Sequence, residues 1–122
     1  MPRLKDKAIT LLGSATVDMK TAGTTTIFTT ESGRVTRIVQ VVVRDPTASM
    51  AGGTSYNFGT SFRNAGIIDL SSLIVSGTDY IVLDQNNTKS TEIASATAFQ
   101  IVVTTGTTLA CNAGIDVFGY TV

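Results

Sequence analysis

The residues able to do chemistry in this chain are few. It has no histidine and a single cysteine, which removes the commonest general base, triad member and zinc ligand together. Cys111 would need a cationic neighbour to become a thiolate nucleophile, and its sequence surroundings offer none. It reads as structural. Carboxylates at Asp18, Asp45, Asp69, Asp79, Asp84 and Asp116 could pair for glycoside hydrolysis, Asp69, Asp79 and Asp84 being the nearest cluster. They are scattered among turns and strand faces. Asp84 with Asn86 and Asn87 puts oxygen ligands on one loop, a weak calcium pattern. An Asx-rich hairpin turn explains the same residues without an ion. Gly52-Gly53 lacks both the Lys-Ser/Thr ending and the helix of a phosphate loop. Tyr56, Phe58, Phe99, Phe118 and Tyr120 could stack on a sugar, but core packing is their commoner task. The expectation is a non-enzymatic protein with no catalytic residue, metal or cofactor.

The elements that position these residues read as strands. The centre is RVTRIVQVVVRD, Arg34 to Asp45, closed by Pro46. β-Branched residues at this density favour the pleated state, and the following proline argues against helix. An extended chain puts Val35, Val39, Val41 and Val43 on one side and Ile38 and Val42 on the other. Apolar residues on both sides predict a central strand, one face on the core and the other against a second layer or a neighbouring chain.

Around it, Ala8–Leu12 and Ala15–Thr21 read as two strands separated by a turn at Gly13-Ser14. Thr24–Thr30 is another strand, and Glu31-Ser32-Gly33 turns into the central one. Thr54–Phe62 alternates as a half-buried strand, with Tyr56, Phe58 and Phe62 on one face. Ile67–Val75 is a mixed apolar stretch. Further strands follow at Asp79–Leu83, Lys89–Ala94 and Ala98–Thr105. Gly106–Gly114 is a loop holding Cys111. Ile115–Val122 closes the chain with two apolar faces, Ile115 with Val117 and Phe118 with Tyr120. About nine short strands, turns of glycine and asparagine, and no sustained 3.6-residue period predict an all-β, antiparallel sandwich of jelly-roll type, with an up-and-down barrel as the alternative. The domain would run over residues 8–122, preceded by an extended N-terminal arm at 1–7.

Composition bears on partners. The 122 residues carry nine basic and nine acidic side chains, net charge zero, with no basic block to hold nucleic acid. Charged residues make up 15% against 43% hydrophobic, little charge for a free surface, which suits a chain largely covered by partners and equally an ordinary small β-domain. No apolar run is long enough to cross a bilayer as a helix. MPRLKDKAITLLG lacks the apolar core of a secretory leader, so a cytoplasmic origin is expected.

The phrases ATVDMKTAGTTTIFTT, VVVRDP, AGGTSYNFGTS and GIDVFGY resemble small virion proteins of tailed bacteriophages, in particular jelly-roll head decoration (cement) proteins. The resemblance spans most of the chain as strand phrases, without a catalytic signature. It implies a non-enzymatic structural protein of the virion, made in the host cytoplasm, that trimerises and bridges subunits of the major capsid protein. It also implies a gripping arm, for which Arg3, Leu4, Lys5 and Lys7 are the candidates, Leu4 as apolar anchor. Ile38, Val42, Phe118 and Tyr120 are candidates for the subunit interface. The alternative is a tail or fibre module that binds a host glycan.

Overall fold

A computed structural model describes residues 9–50, 55–60, 80–84 and 92–121 of the protein. Within them are eight strands: β1 (Thr10–Asp18), β2 (Gly23–Thr29), β3 (Thr36–Arg44), β4 (Ser55–Gly59), β5 (Tyr80–Asp84), β6 (Glu92–Ile93), β7 (Ala98–Thr105) and β8 (Asn112–Thr121). They form two antiparallel sheets. One has the order β1-β8-β3-β5 with β6 also on β3, and the other is β2-β7-β4. The predicted all-β sandwich is what the chain forms. β3 is central, between β8 and the β5/β6 edge. The Ile67–Val75 stretch and the arm at 1–7 lie outside the described residues.

The core is filled by one face of each sheet. Val17, Ile38, Val41, Val43, Ile115 and Val117 come from the larger sheet, and Tyr56, Phe58, Phe99, Ile101 and Val103 from the smaller. β7 alternates as its sequence predicts, with Phe99, Ile101 and Val103 inward. Phe99 stacks on Phe58, with ring centroids 6.1 Å apart, and meets Phe28 at 5.8 Å. The Tyr56 hydroxyl reaches the Met19 carbonyl, donating at 3.0 Å, and so brings its polar tip into the core without an unpaired atom.

Three predicted features are corrected. Gly13-Ser14 is not a turn: β1 runs straight through it, with a bulge between Leu11 and Gly13. Gly13 is there because the Phe28 side chain packs onto it. A Cβ at this position would lie 2.5 Å from Phe28 Cβ. The glycine makes room for an aromatic ring of the facing sheet; it does not reverse the chain. Gly33, in contrast, is a turn residue as predicted. It sits at φ 78°, and the Arg34 amide donates to the Glu31 carbonyl at 3.4 Å.

The second correction concerns β3. A bulge between Ile38 and Gln40 inserts one residue into its pairing with β8. Period-2 alternation therefore slips by one, and Ile38 joins Val41 and Val43 in the core at 0% exposure. Ile38 packs inside its own chain and is not an interface residue. The bulge is matched by Gly119 on β8, where a Cβ would lie 2.1 Å from the Arg37 carbonyl oxygen. β8 itself begins three residues before its predicted start, so Asn112–Gly114 are strand and not loop.

Candidate interaction face

The outward face of the larger sheet carries most of the sequence-predicted interface residues. Antiparallel partners share a face, so the register places Leu11 beside Phe118, Phe118 beside Gln40, and Asp116 between Ser14 and Val42, with Val82 beyond. Leu11, Phe118, Val42 and Val82 thus form a diagonal apolar stripe across four strands. Leu11 and Val82 are 56% and 41% exposed, and Phe118, Val42 and Tyr120 are half-buried. Val42, Phe118 and Tyr120 lie on this one face. The candidate arm residues Arg3, Leu4, Lys5 and Lys7 lie outside the described residues.

Two arginines flank the stripe, and both are occupied. Arg44 binds Asp116 with two hydrogen bonds, Nε to Oδ2 at 2.8 Å and Nη2 to Oδ1 at 3.1 Å. Ser14 Oγ donates to the same carboxylate at 2.5 Å, and Arg44 Nη1 also meets Asp45 at 3.2 Å. The guanidinium lies over Gly114, where a Cβ would come within 2.6 Å of Nη1. At the other end Arg37 pairs with Glu92 at 3.0 Å, beside Tyr120 on β8. With its charges joined this way the face presents little net field to a partner.

The Arg44 cluster was not foreseen as a unit. Its members come from β1, β3 and β8 and are separated by up to 102 positions. A faint signal was Asp116 standing among apolar residues in IDVFGY. Arg44 and, secondarily, Ser14 hold the Asp116 carboxyl below its ordinary 3.8. Asp18 is held low as well, chiefly by the Lys20 amide and then by Thr21, in the turn after β1. A carboxylate with a lowered folded-state pKa stabilises the fold above its ordinary value, and that contribution disappears as acid carries the pH through the lowered one. Stability should therefore be level near neutrality and fall as pH drops below about 4. Asp116→Asn should remove part of that acid sensitivity, read as the change in urea midpoint between pH 7 and pH 3. An unchanged pH slope would mean that the Arg44 pairing contributes nothing.

The remaining chemical candidates fall into place. Cys111 is buried, its Sγ 3.4 Å from the Ala48 carbonyl. Phe58 and Phe99 are core residues and offer no sugar platform. Asp69, Asp79, Asn86, Asn87 and Gly52-Gly53 lie outside the described residues. A cleft of about 290 Å³ opens at the mouth between the sheets, with Leu11, Leu12 and Phe28 on its wall and Glu31 and Arg34 at its rim.

No protein-family model and no curated protein matches the chain. Among solved structures it is similar to a chain of the cyanophage Pam1 capsid asymmetric unit, at 13% identity and a TM-score of 0.59. The likeness is one of fold. The match covers 94% of this chain and 86% of the other, so the two are of nearly equal length and match over almost their whole extent.

Proposed function

We propose that this protein is a structural component of a tailed-phage head, a decoration (cement) protein that bridges subunits of the major capsid protein. The observation that carries this reading is the whole-chain likeness to a chain of a phage capsid asymmetric unit. The nested pairing of β1 with β8, β2 with β7 and β3 with β6 supports the jelly-roll reading that goes with it. The non-enzymatic reading draws support from one carboxylate, Asp116, which is tied to Arg44 and held below its ordinary pKa. Such a carboxylate is a poor proton donor.

Trimerisation belongs to the same proposal. A sister copy suits the stripe of Leu11, Phe118, Val42 and Val82, because a face whose charges are already joined does not repel its like. The arm residues Arg3, Leu4, Lys5 and Lys7 would then grip the shell. Bridging works by repetition: once one subunit of a trimer is bound, the others face their sites at high effective concentration.

The test is to add the purified chain to particles that lack it and to follow genome release on heating. The rupture temperature should rise and saturate with added protein, and light scattering should give a mass near three chains. Particles that rupture at the same temperature with or without bound protein would remove the cementing function.

A further inference from the structure

β1 is the outer strand of the larger sheet, paired with β8 and with no other strand among the described residues. It is nine residues long, which at about 3.3 Å per residue gives an edge of roughly 30 Å. Exposed edges are ordinarily blunted by lysine, proline, shortness or a bulge, and β1 has only the last, between Leu11 and Gly13, with Ser14–Asp18 regularly paired beyond it. The sequence TLLGSATVD contains no lysine, arginine or proline, and its only charge, Asp18, stands at the far end. Ile9 and Leu11 beside it are more than half exposed. At the Thr10 end the edge leads into the cleft walled by Leu11, Leu12 and Phe28 and rimmed by Glu31 and Arg34. The Glu31–Arg34 contact is loose, 3.8 Å with both side chains at least half exposed, so either group can turn to a partner.

We infer that the free edge of β1 receives an extended segment of the protein on which this chain docks, added as a further strand. The inference rests on the decoration reading above. A row of backbone donors and acceptors is matched along its length only by another extended backbone, and strand addition draws its affinity from those bonds and its specificity from pockets for alternate side chains. The cleft is such a pocket. Its volume, near the lower end for ligand sites, suits one or two side chains and not an oligosaccharide. The incoming segment should carry an apolar residue for the wall formed by Leu12 and Phe28. A polar residue two positions along would meet Glu31 or Arg34. A second copy of β1 fits less well: antiparallel self-pairing centred on Ser14 would bring the copy's Asp18 to the Thr10 end, beside the Glu31 carboxylate.

The experiment uses the full chain and particles lacking it, with amide hydrogen exchange followed in the free and the particle-bound protein. Binding should slow exchange at alternate amides of Thr10–Asp18, those not already bonded to β8. Thr16→Lys places a cation on the outward side of β1, across Gly114 from Arg44 and clear of the core. With the mass in solution unchanged by light scattering, it should weaken particle binding at least tenfold. Glu31→Ala should weaken it less, about threefold. Binding that leaves β1 exchange unaltered would overturn the inference while the decoration reading stands. Failure to bind particles at all would overturn both. Protection of β1 that grows with the concentration of the free protein would assign the edge to a second copy instead.

Discussion

Ile38→Asp is expected to leave no folded protein at 25 °C, whereas Val42→Asp, four residues along the same strand, is expected to fold and fail to assemble. Ile38 is at 0% exposure among Val41, Val43 and Val117, and an unpaired carboxylate there must either stay charged in an apolar surround or bind a proton. Either cost runs to several kcal/mol against a total stability of about 5–15 kcal/mol. At position 42 the new carboxylate would stand on the outward face opposite Asp116. Like charges across a strand pair cost less than about 1 kcal/mol, and Arg44 is close enough to compensate. Circular dichroism and urea unfolding read the first variant, and light scattering the second. An Ile38→Asp protein with a wild-type unfolding midpoint would show that β3 runs without its bulge. A trimeric Val42→Asp protein would move the subunit interface off this face.

Gly119→Ala should be the most damaging single-methyl substitution in the larger sheet. Its Cβ would lie 2.1 Å from the Arg37 carbonyl oxygen, and the obstacle is backbone of the central strand, which no side-chain rotation can relieve. Overpacking of this kind costs about 3 kcal/mol at the upper end of its usual range. For a chain of this size that lowers the melting temperature by about 10 °C. The affected place is the bulge that turns Ile38 inward, so exchange at Arg37, Ile38 and Val39 should accelerate more than exchange at Val43. Uniform destabilisation without that local gradient would mean that Gly119 does not shape the bulge. Scanning calorimetry and residue-resolved exchange answer the two parts separately.

The class of fold was legible because period-2 runs such as Ala98–Thr105 sit between strong turn residues and one face of each run is buried. The β7 limits come out as read. What alternation cannot show is a bulge. A single inserted residue reverses which side chains face inward from that point on, and its cause, here a glycine 81 positions away on β8, is not local. Gly13 misled for a related reason. Glycine is used both where the chain must turn and where another group must come close, and only the position of Phe28 tells the two apart. At the candidate site, Val42, Phe118 and Tyr120 could be found from the doubly apolar strands. The Arg44–Asp116–Ser14 cluster could not, since it exists only after three strands have paired.

The pairing of the first strand with the last also sets when this protein can fold. Thr10 lies opposite Gly119, so more than a hundred residues must be made before β1 meets its partner. At about 5–20 residues per second that is roughly 5–20 s of synthesis. During that interval β1 has neither edge covered. A chain dominated by such distant contacts also searches slowly after release, on a scale of milliseconds to seconds. A freshly made copy is therefore a sticky object for longer than a helical protein of equal length. High expression of the chain by itself should favour aggregates, and their amount should depend on growth temperature and synthesis rate more than on the stability of the finished fold.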